Sequence, residues 1–155
     1  MEITTGMHRE LGKSTHGQVW AWLEKTDRSP EEDFLMQHAA HTSLYHWLHA
    51  GTGDNEQRGE WLVAHVYTVL GQGETALRHA QRCVELTDQY IDEMLDFDQA
   101  YAYEGLARAY ALIGEHQEAT KYKAMARQLG DGIADSEDKN IFDADFAGGD
   151  WYGID

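Results

Sequence analysis

The chain has 155 residues and a net charge of −16, from 28 Asp and Glu against 12 Lys and Arg. That balance argues against a nucleic-acid backbone or an anionic membrane surface as partner, because phosphate recognition needs clustered Lys and Arg. It leaves room for a basic partner, or for nothing more than solubility by self-repulsion.

Other global features narrow the class. A single cysteine, Cys83, excludes an internal disulfide and fits a reducing, cytoplasmic setting. No apolar run reaches the ~18–20 residues that span a bilayer. Met1-Glu-Ile-Thr-Thr lacks the basic and apolar stretches of a signal peptide. One domain is expected at this length.

Apolar residues recur at spacings of three and four almost throughout, and Pro30 is the only proline, so the chain reads as all-α. Residues 1–13 read as a leader with weak periodicity. A first helix is expected over about 14–26, with Ser14 as cap and Val19, Trp20, Trp22 and Leu23 as its apolar groups. The second helix, 30–50, has a strong start: Ser29 caps it, Pro30 takes the first position, and Glu32 stands three residues after the cap. Phe34, Leu35, Met36, Leu44, Tyr45, Trp47 and Leu48 lie nearly all round it, which predicts a central helix, and Gly51 predicts its stop.

Two hairpins follow, at 54–90 and 96–130. Asp54-Asn-Glu-Gln57 and Asp96-Phe-Asp-Gln99 each predict a cap in which a carboxylate accepts an orphan amide proton while the Gln reaches back. Gly71, Gly114 and Gly130 predict helix stops. Residues 131–155 form an acidic, aromatic segment. Asp135-Ser136 can cap a short helix over 136–147, and Asp150 to Asp155 reads as an extended end. The mixture of Phe142, Phe146, Trp151 and Tyr152 with acids predicts a segment that docks on its own helices or a neighbour's, reaching the face of Arg58 and Arg108. The opposing expectation is a frayed terminus.

Tyr67-Thr-Val-Leu-Gly71-Gln-Gly-Glu-Thr-Ala76 lines up with Tyr110-Ala-Leu-Ile-Gly114-Glu-His-Gln-Glu-Ala119. Each copy sits where one helix ends and the next begins, which is the mark of repeated helix-turn-helix units. These hairpins resemble tetratricopeptide repeats, carried by Ala64, Tyr67, Gly71, Ala76, Ala80 and Cys83 in one copy and by Leu106, Ala107, Tyr110, Gly114, Ala119 and Ala126 in the other. The chain also looks like a group of bacterial tetratricopeptide-like proteins without an assigned activity. The offset of 43 residues, where the family has 34, makes the array irregular. Residues 14–50 count as a further pair but lack the motif.

The resemblance implies antiparallel α-hairpins stacked as a short right-handed superhelix of six to seven helices, in one domain over 14–130. It also implies a non-catalytic protein–protein interaction module without a cofactor, binding a peptide, a protein or itself, with a homodimer as one outcome. Its groove positions fall on Arg58, Trp61 and His65 in the first copy, and on Tyr101, Glu104 and Arg108 in the second. Aromatic and arginine side chains are common anchors of binding sites, and an arginine pair suits a carboxylate. The plainer alternative puts Trp61 and Tyr101 in the core and pairs both arginines with local acids.

His38, His41, His46 and His49 crowd one helix. At 100° per residue, His38, His41 and His49 fall within about 80° of each other. Histidines so placed can present imidazoles to a divalent metal such as zinc. A metal-dependent enzyme or sensor is therefore the second functional reading. Its weak point is carboxylates: only Glu31, Glu32 and Asp33 precede the cluster on its own helix, and Glu60 and Glu104 can enter from neighbouring helices. Phosphate-loop, dinucleotide and nucleophile-elbow motifs are absent. Cys83 matches a small packing position and reads as a buried hydrophobe.

Overall fold

The computed structural model describes residues 1–155. Seven helices make up the chain: α1 (Thr5–Leu23), α2 (Pro30–Ala50), α3 (Gly53–Val69), α4 (Gly73–Gln89), α5 (Asp96–Leu112), α6 (His116–Asp131) and α7 (Ser136–Ala147). A 3-10 turn at Ile91–Glu93 links α4 to α5, and there is no strand. The helices pack in consecutive pairs, α1 on α2, α3 on α4 and α5 on α6, and the pairs join through α2–α3 and α4–α5. α3 also touches α5, and α7 lies on α5 and α6. The expected all-α, repeat-like arrangement holds, at the upper end of the expected helix count.

The two signature turns are one structure used twice. Gly71 and Gly114 have φ of 76° and 85°. The Gln72 N–H donates to the Tyr67 carbonyl at 2.9 Å, and the Glu115 N–H to that of Tyr110 at 3.0 Å. This bond closes the helix over a left-handed residue, where glycine escapes the Cβ clash. Five residues beyond each glycine, Ala76 and Ala119 are fully buried. Small side chains there let paired helices approach closely.

Elsewhere the helix boundaries and packing differ from the sequence reading, each for a local reason. Residues 5–13, read as leader, are the first half of α1. Thr4 caps the helix, its hydroxyl accepting from the Met7 N–H at 3.2 Å. That half buries His8 and Gly12, a polar and a small residue, so no apolar stripe announces it. Gly12 receives the Trp47 indole, and its carbonyl accepts the Ser43 hydroxyl at 2.9 Å.

The caps also shift. At α3, Asn55 and not Gln57 reaches back, to the Thr52 N–H at 3.1 Å. At α5, Asp98 and not Gln99 reaches back, to the Leu95 N–H at 2.9 Å. Gln57 turns inward instead, donating to the Thr87 hydroxyl and the Asp98 carbonyl. Gly130 does not stop α6, which runs on to Asp131. The Phe142 ring of α7 fills the space a Cβ would take at Gly130.

Finally, α2 is not central. Phe34, Leu35, Tyr45 and Leu48 face solvent, because α2 packs mainly on α1 and α3 and leaves its other sides uncovered. Its buried stripe is Met36, Ala40, Ser43 and Leu44, joined by His46.

Two apolar cores result. The larger runs from Val19 and Met36 through Leu62, Val63 and Tyr67 to Leu106 and Ala109. The smaller joins Ala100, Ile133 and Phe142, with Phe97, Tyr101, Leu129 and Phe146 around them. The smaller core ties α7 to the α5/α6 pair, and so places the C-terminal segment over the face shared by α3 and α5.

Candidate functional site

Residues three and four apart share one side of a helix. Arg58, Trp61 and His65 therefore line one stripe of α3, and Tyr101, Glu104 and Arg108 line the matching stripe of α5. The structure brings the six together around Trp61. Its indole N–H donates to Glu104 Oε2 at 3.1 Å, and its ring stacks on His65 at 4.9 Å and meets Tyr101 edge-on at 5.4 Å. Gly105 leaves room for the indole, since a Cβ there would lie 3.2 Å from it. α1 adds a wall that sequence reasoning missed: Trp20 stacks on Trp61 at 6.1 Å and on His65 at 6.2 Å.

At one end, Arg58 grips Asp98 with both arms of its fork, Nε to Oδ1 at 2.8 Å and Nη2 to Oδ2 at 2.9 Å. Asp98 is buried, while the Arg58 side chain is over a third exposed and lies over the Phe97 ring. Asp98 was absent from the expected site. Its signal was its place three residues after Leu95, the acidic position of a capping box.

At the other end, Arg108 and Glu104 form a buried ion pair, Nε to Oε1 at 2.5 Å, with the residues 5% and 2% exposed. Burial pushes the Glu104 carboxyl above its ordinary range, and the Arg108 charge and the Trp61 and Arg108 hydrogen bonds pull against that shift. His65, walled in by both indoles, is held at a pKa of about 4 by burial and then by the Arg108 charge, so it is neutral at pH 7.

The remaining donors of Arg108 are taken by the C-terminal segment. Nη1 donates to the Asp150 carbonyl at 2.8 Å, and Nη2 to the carbonyls of Asp145 at 2.9 Å and Gly148 at 3.0 Å. The Trp151 indole covers the guanidinium at 3.9 Å. Tyr152, at φ 50°, is fixed by its N–H to Asp150 Oδ1 at 2.7 Å, and its hydroxyl donates to the Thr68 carbonyl on α3 at 3.2 Å. The segment thus docks on its own helices, which decides between docking and fraying. The forks of Arg58 and Arg108 are both engaged within the chain, so neither is free for the carboxylate of a partner.

Two cavities flank Trp61. One, of about 240 Å³, lies at the Arg108 end beneath residues 144–152. The other, of about 390 Å³, lies at the Arg58 end between α1, α3, α5 and α7.

The histidines of α2 part company. His38 meets Phe34 edge-on at 4.4 Å. His41 Nε2 shares a hydrogen bond with the Tyr67 hydroxyl at 2.8 Å, with His79 beside it at 5.4 Å. His49 stacks on His8 of α1 at 4.4 Å, and His8 Nδ1 meets His46 Nδ1 at 2.8 Å. No three His, Cys, Asp or Glu side chains converge in a way that could hold a metal ion. The spacing on the helical wheel was right, but the three rings are spread along the helix and each finds a different neighbour. Cys83 is buried against the Gln57 carbonyl, and burial pushes its thiol pKa up.

No helix is long and apolar enough to cross a membrane. The chain matches no protein-family model, no curated protein and no solved structure.

Proposed function

We propose that the protein is a non-catalytic interaction module of the tetratricopeptide-like type, and that the α3/α5 face takes a segment of a protein partner or of a second copy of this chain. One observation carries the reading: a peptide segment already lies on that face, held by a buried arginine through main-chain carbonyls. Carbonyls are offered by any peptide, so this mode of capture does not depend on one particular side chain. The aromatic ring over the guanidinium adds area and a cation–π contact. The residues that dominate the face, Trp61, Tyr101 and Arg108, are of the types that anchor binding sites.

On this reading the C-terminal segment is an occupant in cis, and any external segment competes with it. The test uses the full chain. A labelled peptide of residues 136–155 is titrated into wild type and into Trp151→Ala/Tyr152→Ala, and followed by fluorescence anisotropy. The variant removes the ring over Arg108 and the bond to Thr68, so it should bind the added peptide at least about tenfold more tightly, from ~1.4 kcal/mol of relieved competition. Equal or absent binding to both chains sinks the proposal.

A further inference from the structure

The cavity of about 390 Å³ at the Arg58 end is not covered by residues 148–155, and nothing in the interaction reading says what enters it. Its volume lies within the range of small-molecule and side-chain pockets. Trp20, Trp61, Phe97 and Tyr101 make its walls, from three separate helices. Trp20 stacks on Trp61, 18° from parallel, and Tyr101 stands at 73° to Trp61, so the three rings form one aromatic cluster at the cavity.

The charges facing it are unequal. Arg58 contributes one positive charge, but Asp98 holds it in a two-armed pair and Asp54 lies 3.5 Å from it. Asp145 on α7 adds a carboxylate whose Oδ2 accepts the Tyr101 hydroxyl at 2.5 Å. His16 at the rim accepts the Trp20 indole N–H at 3.0 Å, and burial lowers its pKa, so it adds no positive charge at pH 7. Burial first, and then Asp145 with Glu104 and Asp138 farther out, push the Tyr101 phenol up. Aromatic walls around a space whose lining charges, Arg58 against Asp98 and Asp145, leave one carboxylate in excess suit a cation with apolar substituents, because the walls desolvate the alkyl groups and the excess carboxylate attracts the charge. A carboxylate or phosphate would meet Asp145 and Asp98 without a free arginine.

From this arrangement we infer that the open end of the α3/α5 face is a recognition pocket for an alkylammonium group on an apolar stem, such as a lysine or N-methylated lysine side chain of a partner segment. The inference rests on the interaction reading and adds the chemistry of the group recognised. The same head group occurs in free solutes, and the test separates the two sources.

Tryptophan fluorescence of the full chain is followed during titration with choline and with its uncharged carbon isostere, 3,3-dimethylbutan-1-ol. Choline should bind at least about tenfold more tightly, the ratio expected of a desolvated cation–π site. Asp145→Asn, which keeps the shape of the side chain, should weaken choline several-fold and leave the isostere unchanged. Glu2→Gln removes one exposed charge outside the pocket and should change neither. A glycine-flanked trimethyllysine peptide that binds more tightly than choline assigns the cation to a partner chain, and the reverse order assigns it to a free solute. Equal affinity for choline and its isostere, or equal effects of Asp145→Asn and Glu2→Gln, overturns the inference. Neither result touches the peptide competition at the Arg108 end, so the two proposals fail separately.

Discussion

The α3/α5 face carries one arginine at each end, and the two ends are built in opposite ways. Arg58 reaches across to a carboxylate on the next pair of helices, stays more than a third exposed, and borders an open cavity. Arg108 pairs with a carboxylate one turn away on its own helix, is buried, and is roofed by residues 145–151. The comparison teaches that an arginine is made structural by what covers it, more than by its acid partner. Both have acids within 3 Å, but only Arg108 is buried, so there the donors turn to protein acceptors where Arg58 can use water.

The largest expected effect breaks that comparison directly. Arg108→Ala leaves Glu104 buried without its counter-charge and strips the C-terminal segment of its anchor. Loss of one partner from a buried pair costs about 3–5 kcal/mol. Arg58→Ala leaves Asp98, itself buried, without its counter-charge but still bonded to the Leu95 N–H, and removes an arginine that was partly exposed and held no docked segment, so it should cost less, about 2 kcal/mol. Urea unfolding of both variants measures the gap. Equal losses would erase the distinction between the two ends.

A smaller effect sharpens it through pH. His65 at the Arg108 end has its folded pKa lowered to about 4 from 6.5. The unfolded chain therefore binds this proton more readily than the folded one. The stability held by neutral His65 is complete above pH 6.5 and is lost as pH falls from 6.5 towards 4. For a histidine reached in part by solvent, the loss is about 2 kcal/mol. His65→Gln should remove that slope, so wild type and variant should diverge over this window in unfolding experiments at matched salt. Parallel curves would show that His65 is not desolvated by the two indoles.

The smallest effects test where the two helix pairs are alike. Gly71→Ala and Gly114→Ala each force a Cβ into a left-handed position in open space, at a cost of about 1 kcal/mol. The two melting-temperature shifts should agree. A much larger shift at one turn would show that the repeats are equal in sequence only.

What the sequence made legible follows from how local each signal is. The turns at Gly71 and Gly114 depend on a handful of consecutive residues, and they appear where the aligned motif puts them. The stripe of Arg58, Trp61 and His65 on α3 and its counterpart on α5 came from the groove positions that the family resemblance implied, and helical spacing puts each set on one side of its helix. The start of α1 was hidden, because the contacts that bury it use His8 and Gly12 and leave no apolar pattern. Gly130 misled in the same way: its missing side chain makes room for the Phe142 ring of the next helix and does not end its own. Trp20 joined the face from α1, and Asp145 from α7, through packing that no local window contains. The histidines of α2 were grouped by angle on a wheel, but rise along the axis separated them.

The dressing of Arg108 also orders events in time. Its acceptors sit 37 to 42 residues downstream, and Tyr152 closes on a carbonyl 84 residues upstream. Synthesis runs from the N-terminus, so α3 and α5 exist before residues 145–152 have been made. During that interval Arg108 has only Glu104 among its final polar partners, and water must serve the rest. A product halted before Asp145 would carry a hydrated arginine on an open aromatic face. Synthesis and docking of residues 145–152 is the step that dries it.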